Sequence, residues 1–267
     1  MVAKMKQYYS NLFYPESIIY HGAGEFTEEF KAFVEDYLRV MTDLKDLKDP
    51  VIPSDPKYNT RSVNIRKWEV WVVLSNARIE PHHSLLEYGA WPSFYCVYVS
   101  RLVKEVFAID NLQGFGRNDG FAIASLNKMF PDVWISEINK YNRPNLQVSQ
   151  GDIQLTNFPN KRFDRIVSYG VHEHIKDDLQ GLREIHRILK DDGIVSMTVD
   201  FFHHGWPYCE AFQGRCYDPE TLTALVERAD FTYIDTPEWF RYDGYKDRVN
   251  TINHPDVCAI AIALRKK

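Results

Sequence analysis

Apolar positions change their period along this chain, and the change divides it near residue 81. Before that point two stretches, around Glu25 to Leu44 and around Ser62 to Leu74, carry apolar residues at helical spacing. Pro50, Pro53 and Pro56 lie between them, and a residue that lacks the backbone N–H and fixes φ breaks any continuous helix there. Residues 1–80 are therefore expected to form a helical cap folded over the strand ends of a core spanning residues 81–267. From His83 onward short apolar runs alternate with helix-period segments, the pattern of a parallel sheet covered by helices on both faces. The runs are Ser84 to Tyr88, Val106 to Asp110, Leu146 to Ser149, Phe163 to Tyr169, Ile194 to Asp200, Phe231 to Thr236 and Val257 to Leu264. They predict an α/β fold with a doubly wound, seven-stranded, mostly parallel sheet and one antiparallel strand near the C-terminus. Between strands, Phe94 to Val103 and Asp178 to Leu189 place their apolar residues on one face, and Gly193 supplies a stop before the next strand. These stripes are core.

Composition narrows the classes of function. With 267 residues, 45% of them apolar, the chain can bury the core of one α/β domain with an extension. The 32 basic and 37 acidic residues give a net charge of -5 without a Lys/Arg block, which argues against extended nucleic-acid binding. Cys96, Cys209, Cys216 and Cys258 form no C-x-x-C pair, so neither structural zinc nor a disulfide framework is indicated. Met1 to Tyr20 runs through tyrosines, Asn11 and Pro15 without an unbroken apolar stretch, so we read no signal peptide and no membrane span, and expect a cytoplasmic protein.

In an open parallel sheet a ligand sits beyond the carboxyl ends of the strands, beside the point where strand order reverses. The first run ends in Glu87-Tyr88-Gly89-Ala90-Trp91-Pro92-Ser93, an acid on the strand, a glycine in the turn and Pro/Ser at a helix start. Glycine lets backbone approach a ligand, and a helix N-terminus offers N–H groups to a carboxylate. The second ends in Asp110-Asn111, where a carboxylate can accept from both hydroxyls of a ribose. Gly151-Asp152-Ile153 comes after the third, an acid able to accept from an adenine amine beside an apolar side chain able to pack on the ring. The fourth runs out through Ser168-Tyr169-Gly170-Val171-His172-Glu173-His174-Ile175. Singly, such acids and glycines are turn formers; in this order they are informative. Gly114 to Gly120 has the look of a dinucleotide-binding turn, but its last glycine is one residue too far along and it comes after the second strand.

On these residues the chain resembles the class I S-adenosylmethionine-dependent methyltransferase family over roughly residues 83–200, with a weaker tail to 267. Leu85-Leu86-Glu87-Tyr88-Gly89, Phe107-Ala108-Ile109-Asp110 and Gly151-Asp152-Ile153 look like its first three motifs. Phe163 to Ser168, Glu173-His174-Ile175 and the helix from Leu182 to Leu189 resemble its fourth motif with the turn and helix beyond. Tyr217-Asp218-Pro219-Glu220 through Phe231 is similar to the helix before the terminal hairpin of that Rossmann-like methyltransferase fold. The resemblance implies S-adenosyl-L-methionine as cofactor, S-adenosyl-L-homocysteine as product, Gly89 along the methionine moiety, Asp110 on the ribose and Asp152 on the adenine. The cofactor-binding candidates are Glu87, Gly89, Asp110, Asn111, Asp152, Ile153, Ser168 and Tyr169. Trp91 and Ser93 stand where the family's loop has its later glycines, so a methyltransferase-like protein with a binding or regulatory role is the alternative of another class.

Methyl transfer from a sulfonium is an in-line displacement, and a hydroxyl or protonated amine acceptor also needs a base. His172 beyond the fourth strand and His203 and His204 beyond the fifth are the candidates, each weighed against a surface or packing role. His174 matches a family position that holds the loop. No carboxylate stands at ligand spacing from His203-His204, so no metal is expected. The Asn/Asp-Pro-Pro-aromatic turn of base-flipping enzymes is replaced by Ser168-Tyr169-Gly170-Val171. Trp206, Tyr208, Phe212, Tyr217, Trp239, Phe240, Tyr242 and Tyr245, with Trp68 and Trp71 of the cap, offer aromatic faces mixed with histidine and acid. The expectation is O-methylation of a sugar, nucleotide-sugar or secondary metabolite, with N-methylation of a small metabolite as the alternative, and a homodimer as the candidate assembly.

Overall fold

The structure is a computed structural model that describes residues 28–43, 61–91, 93–112, 131–201, 205–210, 213–235 and 258–267. Among the described residues, two helices, α1 (Glu28–Asp43) and α2 (Arg61–Asn76), precede β1 (Ser84–Tyr88), α3 (Tyr95–Val99), β2 (Glu105–Asp110), α4 (Pro131–Asn139) and β3 (Leu146–Gln150). Next come β4 (Phe163–Tyr169), a 3-10 turn at His172–His174, α5 (Asp178–Ile188) and β5 (Leu189–Phe201). A hairpin of β6 (Trp206–Cys209) and β7 (Gly214–Cys216), then α6 (Pro219–Arg228), β8 (Phe231–Tyr233) and β9 (Cys258–Lys266), complete the order. Seven strands form one sheet in the order β3-β2-β1-β4-β5-β9-β8, with β9 antiparallel to both its neighbours and the other pairs parallel. The expected fold class is the observed one.

Side-chain alternation explains the two layers. Leu85 of β1 joins one hydrophobic cluster with Val106, Ala108, Val167 and the helices α1 to α4, while Leu86 joins a second with Ile166, Val195 and the helices α5 and α6. All five β1 residues are buried, as a central strand covered on both faces requires. Arg162 ties the amino end of the sheet together, donating to both Glu105 carboxylate oxygens at 2.9 and 2.8 Å and to Ser84 Oγ at 2.7 Å. Strand order reverses between β1 and β4, so the crevice lies between the loops that leave those two strands.

The N-terminal helices correct one expectation. Instead of folding over the strand ends as a cap, α2 packs on the sheet face against β4, β5 and β9, with α1 on its outer side. The reason is its second half: from Trp68 to Leu74 every residue but Glu69 is apolar and all seven are buried, so that stretch has no face to give to water. Trp71 meets Phe30 edge to face at 5.3 Å, so Trp68 and Trp71 are core residues and not part of an acceptor lining. The two described helices share one cluster with the sheet. Residues 1–27 and 44–60, with the three connector prolines, lie outside the described residues.

Smaller departures have local causes. The helix expected over Phe94 to Val103 is helical only from Tyr95 to Val99. β5 begins at Leu189 directly after α5, so Gly193 lies within the strand and is no stop; the β4–β5 register shifts between Phe163 and Arg165. A Cβ at Gly193 would come within 2.7 Å of the Leu189 side chain, which is why glycine stands there. The hairpin β6–β7 is an element that periodicity does not predict. No described helix is long and apolar enough to cross a membrane.

Candidate active site

The crevice is built around two left-handed glycines on adjacent strands. Gly89 leaves β1 with φ +69° and Gly170 leaves β4 with φ +63°. At Gly89 the turn brings the backbone under Val171: a Cβ there would stand 2.4 Å from both Val171 Cγ atoms. Positive φ alone costs an L side chain roughly 1–2 kcal/mol, and the overlap adds to it. Gly89→Ala is therefore expected to lower unfolding free energy by about 2 kcal/mol or more, as a denaturant titration would read, by forcing the two loops apart.

Asp110 closes the crevice on the β2 side. Its Oδ2 accepts the Trp91 N–H at 3.1 Å and its Oδ1 accepts the Leu112 N–H at 2.7 Å. One carboxylate thus fixes the loop after β1 and the turn after its own strand, where Leu112 holds φ +58°. Each oxygen has a second lone pair left for a ligand hydroxyl. At 9% exposure, burial pushes the Asp110 carboxyl above its ordinary range, opposed by the two N–H bonds.

Trp91 and Ser93 do not crowd this loop as their positions in the sequence suggest. Ser93 turns its hydroxyl inward, donating to the Ala90 carbonyl at 2.9 Å and lying 3.4 Å from Glu87 Oε1, while its carbonyl accepts from Trp134 Nε1 at 2.7 Å. Trp91 packs against the hydrophobic cluster on the α3 side of the sheet.

Several sequence candidates lie behind the crevice wall, not in it. Glu87 is 0% exposed beneath the loop. Ser168 is fully buried and donates to the Tyr88 carbonyl at 3.0 Å, stitching β4 to β1. Tyr169 packs edge to face on Tyr95 at 5.0 Å, and burial pushes its hydroxyl well above the ordinary range. Ile153, assigned from sequence to an adenine face, is buried among Tyr88, Ile109 and their cluster. Asn111 is exposed beside Asp110, and its carbonyl accepts from Gln150 Nε2 at 3.1 Å. Asp152 is also exposed after β3, its carboxylate engaged by the Gln154 N–H at 2.9 Å and the Gln154 amide.

His172 is corrected from base to buried support. It is 1% exposed, with Nδ1 3.1 Å from the Tyr88 hydroxyl and Nε2 3.1 Å from the Asp178 carbonyl. Burial pulls its pKa down to about 4. A base needs an open lone pair beside the acceptor, and both ring nitrogens here are spent inside the fold. His174 Nδ1 lies 2.8 Å from the Gln213 carbonyl and so ties the turn to the hairpin. His203 and His204 lie outside the described residues. Sequence reasoning missed Glu69 of α2, a buried carboxylate that accepts from Thr198 Oγ1 at 3.0 Å; a lone acid inside Trp-Glu-Val-Trp-Val-Val was its signal.

Two other features are not part of this site. A depression of about 430 Å³ between Lys161, His186, Arg187, Asp191 and Lys266 lies at the amino ends of the strands, and Asp191 there pairs with Lys161 at 2.7 Å. Among the described residues Glu80, His82 and His83 bring possible ligand atoms within 4.8 Å of one another. His83 Nδ1, however, accepts the Glu80 N–H at 2.9 Å, whereas a ligating histidine uses its second nitrogen to donate.

Similarity to known proteins agrees with this geometry. The methyltransferase-domain family matches residues 86–197. The uncharacterized methyltransferase YcgJ of Bacillus subtilis is 22% identical over 208 residues, 73% of this chain and 76% of its own. Its crystal structure superposes with a TM-score of 0.54 at 16% identity, over 74% of this chain and 98% of that one. The [4+2]-cyclase SpnF has a TM-score of 0.57 at 15% identity, covering 87% and 94%. A Burkholderia thailandensis 1,6-didemethyltoxoflavin-N1-methyltransferase, solved with S-adenosylhomocysteine, has a TM-score of 0.53 at 16% identity, covering 90% and 89%. Residues 86–197 thus match a methyltransferase domain, and the strand order with the motif order along the strand ends is that of the Rossmann-like methyltransferase fold.

Proposed function

We propose that the chain binds S-adenosylmethionine in the β1–β4 crevice and transfers its methyl group to a small acceptor, most simply the hydroxyl of a sugar, nucleotide-sugar or secondary metabolite. The observation that carries the donor half is Asp110, a carboxylate fixed by two backbone N–H groups with lone pairs left over for a pair of hydroxyls. The residues present fit the donor: Gly89 brings backbone to the crevice, Ser93 is folded out of it, and Asp152 stands exposed beside the third strand. When bound, the donor supplies an electrophilic methyl on a sulfonium. The protein's own task is to align the acceptor and exclude water. The net charge of -5 favours a small acceptor over a polyanion.

A hydroxyl acceptor needs its proton taken, and with His172 buried the base falls to His203 or His204, just past the carboxyl end of β5. A neutral amine would need no base, which keeps N-methylation as the second reading, and the toxoflavin enzyme of similar fold is an N-methyltransferase. The similarity to a [4+2]-cyclase adds an outcome to the test, donor bound without methyl transferred. Incubating the protein with labelled donor and a small-metabolite extract, followed by mass spectrometry, is expected to show label in a low-molecular-weight product. Label in no small molecule would sink the transfer reading.

A further inference from the structure

We infer that the Tyr88–His172 hydrogen bond is a positioning device for the methyl donor, fastening the turn after β4 onto the loop after β1 so that Val171 closes against Gly89. The inference rests on the donor site proposed above. Tyr88 is the last residue of β1 and immediately precedes Gly89, while Val171 immediately precedes His172. The hydroxyl and Nδ1 lie 3.1 Å apart across 84 residues of sequence, and both side chains are 1% exposed. The proton can be assigned from the partners. A carbonyl only accepts, so Nε2 donates to Asp178 O and Nδ1 accepts from the Tyr88 hydroxyl. Met197 Sδ, 3.4 Å from the same hydroxyl, is a weak acceptor and the lesser partner.

The rest of the turn is anchored on its far side. Asp178 opens α5, and its carboxylate accepts from the Tyr217 hydroxyl at 2.9 Å and pairs with the Arg215 guanidinium at 2.5 Å. Arg215 in turn donates to the carbonyls of Ile175 and Lys176 at 2.8 and 2.7 Å. Gly181 of α5 leaves room for the imidazole, since a Cβ there would meet His172 Cε1 at 3.3 Å. The turn is thus held by β1, α5 and the hairpin at once, and Tyr88 is the link to the donor-facing side. A crevice fixed before the donor arrives loses less conformational freedom on binding. Buried as they are, neither Tyr88 nor His172 touches the acceptor. Both act through Val171 and Gly89.

The test is a double-mutant cycle of Tyr88→Phe and His172→Leu, with His172→Asn as the conservative variant. Donor affinity is read by calorimetry, KM and kcat in a transfer assay, and folding by thermal unfolding. Tyr88→Phe removes one hydroxyl and keeps the ring, so it guards against simple misfolding. Each of Tyr88→Phe and His172→Leu is expected to weaken donor binding by about three- to tenfold, the range for one neutral hydrogen bond. The double variant is expected to lose no more than the larger single, because both substitutions remove the same Tyr88–His172 bond, His172→Leu also giving up the bond to the Asp178 carbonyl. His172→Asn, whose amide oxygen can still accept from Tyr88, is expected to stay within about twofold of wild type. Donor KM is expected to rise with kcat nearly unchanged. If wild type binds donor and the folded variants bind it equally well, or if the losses multiply in the double variant, the inference is overturned. If wild type binds no donor at all, the functional reading falls first and this one with it.

Discussion

Replacing Asp110 with alanine is expected to weaken donor binding by at least about tenfold, and by about a hundredfold where both ribose hydroxyl bonds are lost. A hydrogen bond to a charged group is worth roughly 1.5–3 kcal/mol, and 1.4 kcal/mol is a factor of ten. The same substitution frees the Trp91 and Leu112 N–H groups, so the loop after β1 and the turn after β2 lose their common anchor. Asp110→Asn separates the two roles poorly, because an amide nitrogen would face one of those N–H donors. The pH dependence has a defined sign. Burial raises the Asp110 carboxyl, so the folded protein holds this proton to higher pH than the unfolded chain. Its ionisation therefore costs stability above the raised value and nothing below the ordinary carboxylate range. Donor affinity runs the other way, since the ionised form accepts the hydroxyls: it is expected to fall as pH drops through the raised value. Calorimetry of wild type and Asp110→Ala across the mildly acidic range reads both effects. Equal affinity of the two proteins would remove Asp110 from the donor site.

The largest kinetic effect is expected at the end of β5. One of His203→Ala and His204→Ala is expected to reduce turnover by roughly 10² to 10⁴, the range for a lost general base. Donor affinity in the same variant is expected to move by less than about twofold, because binding the donor requires no proton transfer. The pH profile gives an independent readout: the acidic limb of kcat, set by protonation of the base, should vanish in that variant. Normal turnover in both variants would show that alignment alone drives transfer, or that the acceptor is an amine delivered neutral.

How far these residues can be read from sequence depends on the physical origin of each signal. Periodicity reports which side chains face inward, so the sheet strands are visible to within a few residues, and Ser84–Tyr88 and Phe163–Tyr169 to the residue. The start of α6 is reached in the sequence only through the family resemblance of Tyr217 to Phe231, although its cap is local: the Asp218 carboxylate accepts the Thr221 N–H and Pro219 opens the helix. The hairpin β6–β7 is not legible, since strands of four and three residues carry too few alternations to register. That α2 lies on the sheet face and not over the strand ends escapes the expectation of a cap, although the run from Trp68 to Leu74, polar only at the buried Glu69, carries the signal.

Site residues divide the same way. A glycine at a strand end and an acid at the next one mark the crevice by backbone logic, and Gly89 and Asp110 lie there. Which way a side chain points from a strand end depends on partners distant in sequence. Ser168 finds the Tyr88 carbonyl and His172 finds the Tyr88 hydroxyl, so two polar residues that look available in the sequence are consumed by the fold. Ser93 is the converse case. A residue that looks obstructive turns inward to the Ala90 carbonyl.

The central claim is that this crevice binds S-adenosylmethionine, and calorimetry of the wild-type protein with that donor and with S-adenosylhomocysteine tests it most directly. The account predicts saturable one-to-one binding of both ligands, weakened in parallel by Asp110→Ala. No heat change with either ligand at millimolar concentration, from protein shown to be folded, would contradict it.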